Sequence, residues 1–220
     1  MTTERNLIPP LVGGHCVLDL INTVEPRAAV ADRLERLTGP ADLLAWAQRA
    51  EVINAAEAVS VQAAWDTSST AATQALGAAI ELREAAYALL APHAEHYVAT
   101  EDLNTCLALE ALALRRAAAA ARSELVLDGD QVAARLVVGT TPAMMIPDRL
   151  ASAAVDLICG ADLSNLRACP LDEGGCGWLF FDRSRNRSRR WCVMADCGAQ
   201  VKAKRLTERR RANRTVATTV

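Results

Sequence analysis

Along most of the chain, apolar residues recur at three- and four-residue steps, the spacing of helices packed on one another. The opening segment PPLVGGHCVLDLINTVEPR predicts a turn at Gly13 and Gly14, then a short helix. Val17, Leu18, Leu20, Ile21 and Val24 share one side of that helix, with Asp19 and Asn22 three apart on its edge. A strand entering the glycine pair is the alternative. Thr38, Gly39 and Pro40 precede ADLLAWAQRA, which fits a turn and a helix entered near Pro40 and Asp42. Residues 51–65 and 69–92 continue the helical pattern, with a break at Asp66, Thr67 and Ser68. Glu81, Arg83 and Glu84 punctuate the second of these. Residues 101–123 predict another helix, ending in LRRAAAAARS, where alanine has the highest helix propensity of any residue.

The period changes at Glu124. SELVLDGDQVAARLVV holds two β-rich runs around Asp128, Gly129 and Asp130, a hairpin signal. Thr141 and Pro142 then open AMMIPDRLASAAVDLICG, read as a buried helix ending at Gly160, with Pro147 as its point of breakage or kinking. Residues 163–167 lead as a short strand or loop into a cysteine-rich segment. The expected fold is mainly α (α+β): a helical domain over residues 1–164 with one β-hairpin, then a small module over residues 165–220. A change of composition marks the boundary, since no flexible spacer or internal repeat is visible.

Composition narrows this picture. The chain is 51% apolar but only 4% aromatic, so its core is built mainly from Ala, Leu and Val. No apolar run approaches the roughly 20 residues that cross a bilayer, and the start MTTERNLIPP lacks the apolar centre of a signal peptide. The expectation is a soluble cytoplasmic protein whose thiols stay reduced. Its seven cysteines then read as metal ligands and buried free thiols, not disulfides. Net charge is only −2, but it is unevenly divided. Residues 1–182 carry 12 Arg against 24 Asp or Glu, whereas residues 183–214 carry 12 Lys or Arg against Asp196 and Glu208. Such asymmetry points to a polyanion partner. The cysteines and tryptophan interleaved with the charges argue against a merely solvated tail.

Cys169 and Cys176 have six residues between them, Cys192 and Cys197 have four, and fifteen separate the pairs. Two close pairs bracketing a short loop suit a structural zinc ion, one per chain, whose four thiolates leave no position for a catalytic water. Gly174 and Gly175 before Cys176, and Gly198 after Cys197, suit tight turns around the metal. Cys16, Cys106 and Cys159 lie in apolar runs and read as small buried hydrophobes. His15 and Cys16 beside Asp19 do not make a nucleophile and base, because adjacent helical residues point apart and no oxyanion-stabilising motif accompanies them. An enzyme is not expected.

The basic residues form two groups. Arg183, Arg185, Arg187, Arg189 and Arg190 lie in the loop before Cys192. Lys202, Arg205 and Arg209 share one face of a helix after Cys197, with Lys204 and Arg211 elsewhere on it. Arginine forks pair with phosphate oxygens or the guanine edge, and Ser184 and Ser188 add donors for phosphates. Double-stranded DNA is the leading partner, because one basic helix fits the major groove. An RNA-binding or protein-interaction module is the alternative: Trp178, Phe180, Phe181 and Trp191 either stack on unpaired bases or form the module's core.

The segment C…CGWLFFDRSRN…RRWCVMADCG resembles the CGNR-type zinc finger, and GGHCVLDLINTV resembles the opening of the helical ABATE domain that precedes this finger in bacterial proteins. Together they span nearly the whole chain. The resemblance implies a stress-induced transcriptional regulator associated with the nucleoid, with DNA bound by the finger and sensing by the helical domain. It also implies zinc ligands at Cys169, Cys176, Cys192 and Cys197, and a basic stretch at Lys202, Lys204 and Arg205. Ala199 and Gln200 stand where the family has Asn and Arg, which bears on target choice but not on the metal. His15, Asp19, Asn22 and Arg27 either line a pocket for a small-molecule effector or form a buried polar network. Regulators often dimerise, and a homodimer is an expectation, although no heptad supports a coiled coil.

Overall fold

A computed structural model describes residues 9–28, 33–100, 102–127 and 134–217. Helix α1 (Cys16–Ile21) is followed by a two-residue antiparallel pair, β1 (Val24–Glu25) and β2 (Leu34–Glu35). Three helices follow: α2 (Pro40–Arg49), α3 (Ala55–Thr67) and α4 (Ser69–Leu90). Each begins where a polar group satisfies the free N–H groups of its first turn. Asp42 accepts from the Thr38 and Gly39 amides at 2.9 and 3.0 Å. Asn54 and Glu57 cap each other's amides at 3.0 and 2.8 Å, and Ser68 accepts from Ala71. The Asn54 cap starts α3 four residues later than the apolar pattern suggests. Asn104 does the same for α5 (Thr105–Ala121) by accepting from Leu107.

Helix α4 is the centre of the bundle. Its Ala75, Ala79, Leu82 and Ala86 are fully buried, and the small side chains let α5 and α6 (Met145–Gly160) approach closely. Leu18, Leu20 and Ile21 of α1, Trp46 of α2, and Ile146 and Leu150 of α6 complete the same core. Pro147 neither breaks nor kinks α6. It is the helix's third residue, where a missing N–H leaves no bond unmade.

The hairpin forms as expected from β3 (Ser123–Leu127) and β4 (Ala134–Val138), with Leu125 opposite Leu136. Its turn, at Asp128, Gly129 and Asp130, lies outside the described residues. Strands β5 (Leu166–Ala168) and β6 (Leu179–Phe181) pair antiparallel around the first two cysteines of the cluster. Leu166, Ala168 and Leu179 are buried in the helical core. Helix α7 (Ala199–Ala217) closes the order. Among the described residues, no helix is long and apolar enough to cross a membrane.

Candidate metal centre and basic surface

Strand β5 delivers Cys169 into the interior, and the chain returns through a turn closed by Gly175 N–H to Pro170 O at 2.7 Å and Gly177 N–H to Cys169 O at 3.0 Å. At Gly175 a Cβ would stand 2.7 Å from Cys169 Sγ and 2.6 Å from Pro170 O, so only glycine lets the backbone pass the sulfur. Gly177 has φ +77°, and its missing Cβ would lie 2.9 Å from Arg27 Cβ. The second pair comes from beyond the arginine loop, with Cys197 on a short wide turn (Met194–Gly198) leading into α7. Gly198 does not turn the chain there; a Cβ would crowd the Trp191 ring at 3.1 Å and displace the exposed Met194 side chain.

All four cysteines are buried, and their sulfurs lie within 4.8 Å of one another. The separations Cys176–Cys192 and Cys192–Cys197 are 3.4 and 3.6 Å. A tetrahedral zinc with sulfurs at about 2.3 Å requires S···S edges of about 3.8 Å. The chemistry of the donors agrees with the geometry. Hydrogen bonds from the other three thiols, Cys176 first, push Cys169 far down; the contact with Cys169 is the first cause that pushes Cys176 and Cys192 far up, although Cys176 itself pulls Cys192 the other way. Sulfurs this close cannot all ionise unless a cation sits between them. Among the described residues this is the one metal-binding cluster of His, Cys, Asp or Glu, and it can hold one zinc ion.

Trp178 and Phe180 are buried against the sulfurs, and Trp191 and Val193 pack on them half-buried. Phe181 is half-buried and packs on the helical core. The aromatics therefore act first as core. The remaining cysteines differ from expectation: Cys106 and Cys159 are exposed, because the helix faces carrying them point away from the bundle, and Cys16 is half-buried with burial pushing its thiol up.

The arginine loop is organised by Asp182, a residue that charge counting passed over. This buried carboxylate accepts from the Ser184 and Arg189 amides, each at 2.8 Å. Arg189 turns inward. Its guanidinium lies 4.4 Å from the Phe180 ring centre and donates to the Trp191 and Cys192 carbonyls, bracing the second cysteine pair. Arg183 reaches Gly14 O at 2.7 Å, while Arg185 and Arg187 are exposed. Arg190 and Arg205 both pair with Glu173. Lys202, Lys204 and Arg209 are exposed on α7; the side chain of Arg211 lies outside the described residues. A cleft of about 340 Å³ lies between Trp191 and Met194 on one side and Val201 and Leu206 of α7 on the other, rimmed by Lys202, Arg205 and Arg209. Gln200 donates to Asp196, one turn back at the start of α7.

The four polar residues of the N-terminal segment are all engaged. His15 Nδ1 accepts from Val17 N–H at the start of α1, and burial, then Arg183, pushes its pKa down. Asp19 accepts from the Gly13 amide at 2.8 Å while burial pushes its carboxyl up. Asn22 makes two bonds to the backbone of Leu179, at 2.8 and 3.0 Å. Arg27 donates to Ile21 O and to Glu84 at 2.7 Å, and its guanidinium lies 4.6 Å from the Tyr87 ring centre. This geometry is that of a buried network, extended by Arg83, which donates to Thr23 and Glu35. The signal for its far side was the Arg83 and Glu84 pair within the alanine-rich α4; Glu81 pairs instead with Arg115.

Comparison with known families gives two matches. The CGNR zinc finger matches residues 165–210. ABATE, described as "Putative stress-induced transcription regulator", matches residues 14–161. No curated protein matches the chain. Because the second match covers more than half of its length, the chain belongs to the ABATE family, and it carries a CGNR zinc finger after the ABATE segment.

Proposed function

We propose that this protein is a transcription regulator that grips duplex DNA with the surface built around its zinc centre. The observation that carries the proposal is the placement of Arg185, Arg187, Arg190, Lys202, Lys204, Arg205 and Arg209 on the two segments that Cys192 and Cys197 tie together. A metal that fixes a loop and a helix side by side lowers the ordering cost of binding a polyanion. In this reading the finger from residue 165 onward contacts DNA, the helical part up to residue 164 supplies the response to stress or to a small-molecule effector, and two copies act together. Four thiolates complete the coordination of zinc, so its proposed role is structural and no catalysis is assigned.

Titrating the full chain with duplex DNA over a salt series tests this directly. The expected slope of log K against log salt is roughly −4 to −8, as for five to nine phosphate contacts. A slope near zero removes the proposal. The apolar cleft beside Trp191 favours a second reading, in which unpaired bases or a protein segment dock there. That reading expects Trp191→Ala to weaken binding more than Arg205→Ala and single strands to outcompete duplex; the duplex reading expects the reverse.

A further inference from the structure

We infer that Arg190 and Arg205 form a single phosphate-binding site, occupied by the Glu173 carboxylate in the free protein and by a backbone phosphate in the complex. The inference rests on the duplex-binding reading above. Glu173 stands in the turn between Cys169 and Cys176. One of its oxygens pairs with Arg190 from the loop before Cys192, and the other pairs with Arg205 from α7 at 2.7 Å. One carboxylate thus gathers cations from two elements, the loop before Cys192 and α7.

Exposure shows which groups remain open to a ligand. The Glu173 side chain is 16% exposed, against 49% for Arg190 and 61% for Arg205, so the acid lies beneath two accessible guanidinium groups. A phosphodiester offers the same two-oxygen anionic edge as a carboxylate and suits the arginine fork equally well. Ion pairs this exposed are weak. Exchanging the internal carboxylate for a phosphate also releases the counterions condensed on DNA, which the internal pair cannot do. Glu173 therefore holds the two arginines at one point while subtracting a negative charge's worth of attraction from the surface, and it sets how tightly the finger holds arbitrary DNA.

The test uses the full zinc-loaded chain and random-sequence duplex over a salt series. Glu173→Gln is expected to bind about three- to tenfold tighter, because two exposed ion pairs no longer compete. Its salt slope should stay that of the wild type, because the same phosphate is contacted in both complexes and only the competing carboxylate is gone. Glu173→Asp keeps the charge but shortens the reach, and should show a smaller gain. In an Arg190→Gln, Arg205→Gln background the gain from Glu173→Gln should vanish. Unchanged or weaker binding by Glu173→Gln with its zinc retained overturns the inference. If that variant loses zinc, absence of any gain in Glu173→Asp overturns it instead. A wild-type chain indifferent to duplex removes the duplex reading and this inference together, whereas a binding wild-type with no gain in the variants removes this inference alone.

Discussion

Cys192→Ser is expected to strip zinc from the protein and abolish duplex binding. Cys192 lies between its neighbours, 3.4 Å from Cys176 and 3.6 Å from Cys197, so losing it opens the centre of the cage. A structural zinc contributes on the order of 10 kcal/mol, and small metal domains do not fold without it. Here the metal-proximal core is little more than the four cysteines, Trp178 and Phe180, too few groups to hold a loop that contains five arginines. Arg189 would lose the Cys192 carbonyl as a fixed anchor, and α7 would lose its link to the loop through the sulfur cluster. Elemental analysis should find about one zinc per wild-type chain and almost none in the variant. A Cys192→Ser protein that keeps its zinc and its affinity would show that the four sulfurs are not a metal cage.

Arg27→Ala should cost roughly 2–4 kcal/mol, as expected when a buried carbonyl loses its donors and a large buried side chain leaves a cavity, while Glu84 stays half-exposed and paired with Arg83. The Arg27 side chain is fully buried; burial pushes its pKa down and the Glu84 carboxylate works against that. Truncation leaves the Ile21 carbonyl without its guanidinium donors and opens a cavity against Tyr87. For a chain of this length the expected fall in Tm is on the order of 10 °C. A second effect should accompany it. The Arg27 amide donates to Cys176 O at 2.8 Å, and its Cβ packs where Gly177 has none, so a loosened Arg27 loosens the first cysteine pair. Chelator should therefore remove zinc from Arg27→Ala faster than from wild type. A cost below about 1 kcal/mol would contradict this account of a stranded carbonyl and a cavity.

Local signals were the readable ones. Turn residues before α2 and the cysteine spacing act over a few residues, and each produced the element or cluster expected; the break expected over Asp66 to Ser68 is confined to Ser68, since α3 runs on to Thr67. Helix starts were misplaced where a cap outweighed the apolar period, as at Asn54 and Asn104. Periodicity could show that Asn22 and Leu179 belong to ordered elements, but not that they bond across 157 positions. Charge counting treated every arginine of the loop alike. The fold separates them: Arg189 is used internally, Arg190 and Arg205 are tied to Glu173, and Arg185 and Arg187 stay exposed. Two acids sort these cations, and neither Asp182 at the head of the loop nor Glu173 beside Asp172 carries a periodic signature.

The seam between the helical part and the finger is laced with hydrogen bonds to main-chain carbonyls. Phe181 donates to Gly13 O, Ala168 to Glu95 O, and the Trp178 indole to Val24 O at 2.8 Å. Because Asn22 at the end of α1 bonds Leu179 of β6, anything that prised α1 away from α4 would tug on the strand pair that presents Cys169 and Cys176.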